Sequence, residues 1–522
     1  MHARAADQSN QARSWRNGSA ARGSWRRAAF VAGGLALVGL WSTATVPPVV
    51  QAEKGAPVSG SVLRLHAAAR TGAGAGHRGQ ALSSPATSRI TTAREQERFW
   101  AWDFHKEQYY VVEATLRHVS PTSWIYSEDG AEVSGLAVAR LAETFEDRVL
   151  PVLRDRYGSE PSPGVDGQAA VTLLLLDVRD DLYHEQAPYT YVSGYFDPAN
   201  QAPATALVAD TEPPESGAAS NGREMVYLDI HPTDPEGPIV GQTVAHEFAH
   251  LIGWAYDPDE EAWLSEGLAQ LAIHVSGLGH PSEQVRAFLA DPETPLLDWQ
   301  GEVRDYGKSY LWLLYLYEQF DGGEGGALAH WVRDPGNGMA SLMAGVAAPR
   351  PPDALLRDFG MALHFDDSEH GDGRFGFRAL EIDPRAAVDG PAFQPAAARR
   401  HAVNDGQGEP ESESLAPWTV RADHFDAAGS QLEVALDPSG PACLGAGWRD
   451  APGRGAADGF ESTCMAAERP TSWLLRVSAG GGVRTVVAHV GEQPLELRAL
   501  AAPLAATQSR GPRIYLPLTL RR

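Results

Sequence analysis

His246-Glu247-Phe248-Ala249-His250 is the stretch that decides how this chain is read. It lies in a run where Val240, Val244, Phe248, Leu251, Ile252 and Ala255 recur at helical spacing, which predicts a helix over about 239 to 255. Pro238 suits the first turn, and Gly253 with Asp257-Pro258 marks the end. Residues four apart share one helix face, so His246 and His250 can offer two imidazole nitrogens to one metal ion. Glu247 projects beside them, where a carboxylate can take a proton from a metal-bound water.

A second helix is predicted to follow at once, with Asp257 as N-cap, Pro258 at the first position and Glu260 completing a capping box. Trp263, Leu264, Leu268, Leu271, Ala272 and Val275 continue it. So short a connection predicts antiparallel neighbours, and at about 1.5 Å per residue Glu266 comes level with the histidine pair. Its setting, WLSEGLA, is apolar on both sides. Two histidines and one carboxylate leave a fourth position open, the pattern of a catalytic rather than a structural zinc site. A rival reading starts from Gly253, which follows His250 as in the pattern HExxHxxGxxH. The third-ligand place of that pattern is Tyr256, and Asp257 stands one residue late, so this alternative needs irregular geometry.

HEFAH followed by WLSEGLAQ resembles the gluzincin metallopeptidases, and in particular the hyicolysin-like secreted bacterial neutral zinc metallopeptidases. The likeness extends over about residues 110 to 380 through ATLRHV (Ala114 to Val119), RVLPVLRDRYG (Arg148 to Gly158), SPGVDG (Ser162 to Gly167), GYFDP (Gly194 to Pro198), EMVYLD (Glu224 to Asp229) and DYGKSYLWLLYLYEQF (Asp305 to Phe320). Ser265 departs from it, standing where the family often has Asn, which leaves one local hydrogen bond open. The resemblance implies a Zn2+ ion held by His246, His250 and Glu266, with Glu247 as general base. Tyr306-Gly307-Lys308 resembles the YxKG segment of the aminopeptidase branch, which implies Tyr306 as oxyanion donor, with Tyr310 in reserve. A tyrosine that merely packs its helix is the competing reading. Arg304 and Asp305 read as solvated.

The implied function is a secreted zinc-dependent endopeptidase acting on a peptide or protein substrate through a zinc-bound water, with a glutamate general base. Two other classes stay open at this level. One is a catalytically silent zincin-like surface or binding protein; the other is a zinc hydrolase of a non-peptide substrate.

Composition bounds the setting. The chain has 522 residues, 43% of them hydrophobic, enough for a sizeable core and two or three domains. Arg4, Arg13, Arg16, Arg22, Arg26 and Arg27 precede an apolar run from Phe30 to Trp41, and Val50-Gln51-Ala52 offers a cleavage site, so residues 1–52 read as a signal peptide. The apolar run is short of the roughly 20 residues of a membrane helix, which argues against stable insertion after signal cleavage; an uncleaved anchor is the alternative. The expected location is extracellular or in the cell envelope. Formal charge is −24; the first 52 residues carry six Arg and one Asp, which leaves −29 for the rest. Such an acidic chain is repelled by nucleic acid and by anionic membranes. Cys443 and Cys464 are the only cysteines, and in an exported protein they are candidates to pair.

The predicted fold class is α+β: a zincin-type catalytic domain of mixed sheet plus active-site helices, followed by a small all-β sandwich-like domain. Residues 53–97, rich in Ala, Gly, Ser and Thr, read as a flexible leader or the end of a pro-segment. The metallopeptidase domain is assigned to 98–385, a linker to 386–413 and the β-domain to 414–522, so a chain ended near residue 390 is expected to fold alone. Strands are predicted at 109–119, 170–178 and 224–230, the last as an edge strand for substrate or as sheet core, and a long helix at 133–157. Residues 181–222 read as loop. Later helices are predicted at 282–289, 307–320 and 355–365, and short strands at 432–437, 473–479, 483–490 and 495–500. RIYLPLTL, Arg513 to Leu520, reads as a last strand or a partner-binding tail. The acidic clusters around Asp257 to Glu261 and Asp366 to Asp372 read as solvated surface or as a Ca2+ site. His231 and His274 are weaker candidates, on a loop and too far along the helix.

Overall fold

The computed structural model describes residues 56–61, 64–65, 93–186, 190–205, 219–321, 326–346, 350–369, 371–387, 390–402, 411–426, 431–448, 459–465, 473–478 and 483–503. The signal segment 1–52, most of the leader and the tail from Arg513 to Leu520 lie outside the described residues. The chain is mixed α/β, with a curled seven-stranded sheet and a second, all-β region.

The first sheet comprises β1 (Ala56–Ser59), β2 (Gln96–Asp103), β3 (Gln108–Val119), β4 (Ser123–Glu128), β5 (Val171–Leu176), β6 (Thr190–Phe196) and β7 (Met225–Asp229), in the spatial order β1-β6-β7-β5-β4-β3-β2. The β5 run, VTLLLL, is buried on both faces, as a central strand with parallel neighbours requires. One face packs against helices through Ile125, Leu173, Leu175, Val226 and Leu228. On the other face the sheet curls over itself, so that Phe99 of β2 meets Tyr126 of β4 edge to face at 5.0 Å. The β2 backbone is satisfied there by side chains: Trp102 N donates to Tyr195 Oη at 2.9 Å, and Tyr227 Oη donates to Trp100 O at 2.9 Å.

Two sequence expectations change here. The strand at 224–230 is β7, hydrogen-bonded to β6 and β5 on its two sides, so it has no edge to offer a substrate. The loop expected over 181–222 contains β6, which turns antiparallel onto β7 and takes the position beside the site helix. TYVSGYF is β-branched and aromatic, a strand composition in itself, and pairing with β7 fixes it as one.

The predicted helix at 133–157 is α1 (Gly135–Glu143) and α2 (Leu150–Arg156) joined by a wider π-type turn over Thr144–Val149. Next come α3 (Pro238–Tyr256), α4 (Ala262–Val275), α5 (Ser282–Ala290), α6 (Val303–Leu316), α7 (Gly326–Arg333), α8 (Gly338–Ala344) and α9 (Pro352–Phe365). Among the described residues no helix is long and apolar enough to cross a membrane.

The later strands are β8 (Arg399–Ala402), β9 (Glu411–Leu415), β10 (Thr419–Asp426), β11 (Gln431–Pro438), β12 (Ala442–Trp448), β13 (Gly459–Met465), β14 (Trp473–Ser478), β15 (Val483–His489) and β16 (Leu495–Pro503). They form a five-stranded sheet, β13-β12-β15-β10-β8, and a four-stranded sheet, β14-β11-β16-β9. Their shared core includes Leu415, Phe425, Val434, Leu436, Leu444, Val483, Val487, Leu495 and Leu497. Cys443 and Cys464 pair across β12 and β13 in a disulfide.

The outer face of the five-stranded sheet is apolar too. Val420, Ala422, Val486 and Ala488 belong to the same core as Leu356, Phe359 and Leu363 of α9. Gly360 brings α9 down so closely that a Cβ there would stand 2.6 Å from Val420 Cγ1 and 2.8 Å from Val486 Cγ1. This shared core conflicts with independent folding of a chain ended near residue 390. Such a truncation is expected to be insoluble or to lack a cooperative thermal transition, because it bares the buried face of α9. A soluble truncated chain with a sharp transition would contradict the shared core.

Candidate functional site

Helix α3 lies on β6 and β7, and its site residues are buried because both sides of it are covered. Phe248 and Val244 enter the core, where Phe145 meets Phe248 edge to face at 5.2 Å. Gly194 of β6 permits the approach: a Cβ there would stand 2.5 Å from Thr243 Cγ2 and 2.7 Å from the Tyr227 carbonyl oxygen.

The second site helix starts later than its sequence suggests. Asp257 is the C-cap of α3, its amide donating to the Gly253 carbonyl at 2.8 Å, and α4 begins at Ala262. Glu260 does not close a capping box; its carboxylate accepts from Gly338 N at 2.8 Å, at the start of α8. Burial pushes the Glu260 carboxyl up to about 7. Glu266 therefore sits in the second turn of α4, on the side facing α3.

His246, His250 and Glu266 converge, all buried. His250 Nε2 stands 3.1 Å from His246 Nε2. Glu266 Oε2 is 3.0 Å from His246 Nε2, and Oε1 is 3.2 Å from His250 Nε2. Among the described residues, neither carboxylate oxygen has a donor other than these imidazoles within reach. A tetrahedral ion with bonds of about 2.0–2.1 Å sets its ligand atoms about 3.3 Å apart, so the two nitrogens and the carboxylate oxygens have a spacing that could serve one zinc ion. A buried carboxylate facing two imidazole nitrogens, with nothing else to neutralise it, is a donor set that fits a cation.

The electrostatics follow from burial. Burial pushes the Glu266 carboxyl up, but the two imidazoles outweigh it and hold it down at about 2. Burial pulls His250 down, and the Glu266 carboxylate outweighs that and raises it above its usual value. Ser265, the departure from the family pattern, places Oγ 3.4 Å from His250 Nδ1, the side of the ring turned away from the cluster. Asp257 is buried but is not part of the cluster, and Tyr256 turns its hydroxyl to Ser159 N at 3.2 Å, so among the described residues the geometry favours Glu266 as third ligand. The acidic clusters do not assemble three such ligand atoms among the described residues. Asp366 instead accepts from Phe377 N and Ile382 N, each at 2.7 Å.

Glu247 is fully buried beside the cluster, with Oε1 free of any donor. Its Oε2 accepts from a residue that sequence reasoning passed over: Ser61 Oγ donates to it at 2.5 Å. Tyr306 is buried in the first turn of α6, and its hydroxyl donates to the Ser59 carbonyl at 3.1 Å. Burial, with the nearby Glu266 and Glu247 carboxylates adding to it, keeps this phenol protonated far above its usual range. Tyr310, one turn on, bonds His280 Nδ1 at 2.5 Å instead. His280 stacks on His274 with ring centroids 5.1 Å apart, which takes His274 away from the triad, and His231 is exposed. A cavity of about 260 Å³ opens beside His246 and Glu247, bordered by Gln270, His280 and Gln284.

Asp305 overturns its solvated reading, being 1% exposed. With Glu302 it forms a capping box that fixes the start of α6, and it lies 3.1 Å from the buried Lys308 ammonium. Arg304 is partly exposed and pairs with Asp291 and Glu302.

No family model matches the chain, and no curated protein sequence matches it. Among solved structures, the pre-peptidase C-terminal domain of a collagenase from Bacillus anthracis aligns with 21% of this chain and 97% of its own, at 10% identity and a TM-score of 0.16. A family GH115 4-O-methyl-α-glucuronidase with specificity for decorated arabinogalactans aligns with 73% of this chain and 64% of its own, at 11% identity and a TM-score of 0.15. At TM-scores this low, neither bears on fold or chemistry.

Asp305→Ala removes half of the capping box and the only carboxylate paired with the Lys308 ammonium among the described residues, leaving that ammonium the Pro295 and Asp298 carbonyls, so it is expected to cost about 2–4 kcal/mol of stability. Denaturant unfolding measures this, and zinc content of the protein that remains folded should be unchanged. A loss below about 1 kcal/mol would show that the Asp305–Lys308 pair is not what holds the start of α6.

Proposed function

We propose that this chain is an exported zinc-dependent endopeptidase of the gluzincin type, with a zincin-type domain around α3 and α4. The observation that carries the reading is the spacing of 3.0 to 3.2 Å among His246 Nε2, His250 Nε2 and the Glu266 oxygens, buried beside Glu247. His246, His250 and Glu266 are the residues that would hold zinc. When bound, the metal supplies Lewis acidity, which polarises a carbonyl and makes water a nucleophile near neutral pH. Glu247, through its free Oε1, takes the proton of the attacking water and returns it to the leaving amine. Tyr306 is the neutral donor to the oxygen on which charge develops, a role suited to a phenol that burial keeps protonated. The signal-like segment 1–52 supports export, the resemblance over about residues 110 to 380 supports a peptide substrate, and the charge of −24 argues against nucleic acid.

Glu247→Gln removes the base and no ligand, so it is expected to hold about one zinc per chain and lose turnover on casein. Glu266→Ala removes a ligand, so zinc retention should fall by about 10-fold or more. Metal analysis of both chains, with casein zymography in the presence and absence of a chelator, tests the assignment. Full proteolysis by rigorously metal-free protein would sink it.

Tyr306→Phe keeps the ring and deletes the donor. Turnover is expected to fall about 10²–10³-fold while zinc content and fold survive. An unchanged turnover number would leave the oxyanion to zinc alone.

A further inference from the structure

The chain's own residues Ala56–Ser61, with Arg64 and Leu65, lie across the site. β1 runs parallel to β6, with Ala56 opposite Thr190, Pro57 opposite Tyr191, Val58 opposite Val192 and Ser59 opposite Gly194. It covers the one side of β6 that β7 leaves open. The backbone is held as an added strand is held: Gly60 N donates to the Gly194 carbonyl at 3.0 Å, and Gln284 Nε2 donates to the Pro57 carbonyl at 2.8 Å.

The segment also engages both residues assigned to the chemistry. Ser59 presents its carbonyl to the Tyr306 hydroxyl. Ser61 Oγ accepts from Phe196 N at 2.7 Å, which leaves its single proton to be donated to Glu247 Oε2. Beyond it, Arg64 is anchored: its guanidinium lies 3.0 Å from Asp197 Oδ2 and 3.9 Å from the centre of the Trp102 ring, and it is 6% exposed. Leu65 then borders a recess beside His250. Ordinary sheet-edge packing accounts for β1, but not for a hydroxyl spent on a buried glutamate next to a metal-type triad.

We propose that the open side of β6 is the groove for an extended peptide and that Ala56–Ser61 is a resident inhibitory segment, fastened by Arg64 and seated on Glu247 and Tyr306. The proposal rests on the metallopeptidase reading above. A substrate strand enters only while this segment is displaced, so the full chain has a low basal activity that loosening the segment raises.

The test compares the zinc-loaded full chain with Ser61→Ala and Arg64→Ala. One assay is cleavage of a quenched fluorescent peptide; the other is equilibrium binding of a fluorescent peptide hydroxamate, which reads groove access without turnover. Ser61→Ala removes one buried hydrogen bond, so peptide cleavage and hydroxamate affinity should rise about 3- to 10-fold. Arg64→Ala removes the buried anchor and should raise both by about 10-fold or more. Should Arg64→Ala fail to fold, Ser61→Ala decides alone. Equal or lower hydroxamate affinity in the variants, with zinc bound in all chains, overturns the inhibitory strand and leaves the peptidase assignment standing. Absence of zinc from all chains overturns both.

Discussion

A fully buried carboxylate facing two buried imidazoles is the constraint around which this structure is arranged. Glu266 has no exposed surface, and among the described residues its two oxygens meet the Nε2 atoms of His246 and His250 alone. Taking such a charge out of water costs several kcal/mol unless a cation or strong donors compensate. The imidazoles compensate in part, which is why burial does not win and Glu266 stays well below the usual carboxylate range. The rest is left to packing. Two helices must hold the donor atoms of His246, His250 and Glu266 together, and the elements around them are fixed by close approaches. Gly194 admits α3 to β6, while Gly307 admits α6 to α5, where a side chain would strike the Gln284 backbone. Sites held this tightly are where a fold gives up local stability for chemistry.

The same logic governs the sheet. A strand edge left bare beside a site presents unpaired amides and carbonyls that will find a partner. β6 is such an edge, since β7 occupies only one side of it. Satisfying it with β1 gives the backbone its hydrogen bonds without recruiting another chain. The edge at the far end, β2, is handled differently, by the hydroxyls of Tyr195 and Tyr227 and the amide of Asn221. One edge is closed by side chains fixed in the core; the other is closed by a segment held largely through its backbone and a few polar anchors. That asymmetry is what suits β6 to exchange one strand for another.

How far the sequence could be read depended on how local each signal was. The α3 helix was legible because its apolar stripe and its two histidines share one period, and helix periodicity survives any tertiary context. Glu266 was reached by argument from rise per residue, although α4 starts five residues later than the predicted N-cap. Asp257-Pro258 has the chemistry of a helix start, yet the Asp257 amide closes the preceding helix and Glu260 reaches across to Gly338. Asp305 looked solvated because charge usually is; its capping partner Glu302 and the buried Lys308 lie within three residues and were the signal that could have revealed it. β6 carried a strand signal in Thr190, Tyr191, Val192, Tyr195 and Phe196 that its loop-rich surroundings overrode, whereas Ser61 had none, because the pairing between residue 59 and residue 194 exists only in the folded chain.

The composition change near residue 413 does not coincide with a break in packing, for a related reason. Composition reports where a chain meets water, not where a core ends. The strands beyond it do form their own two-sheet core, but the outer face of one sheet is completed by α9. Phe359 of α9 in turn packs edge to face on Trp312 of α6 at 5.3 Å and meets Tyr315 at 5.7 Å. Helix α6 is the one that begins with the Asp305 cap and carries Tyr306. Backbone hydrogen bonds tighten the same connection: Leu296 N donates to the Trp418 carbonyl and Ala397 N to the Leu289 carbonyl, each at 2.7 Å. The β-region thus stands two packing steps from the candidate oxyanion donor. Its contribution to the site is positional: it contains none of the residues gathered around Glu266, yet it fixes the helix on which one of them depends.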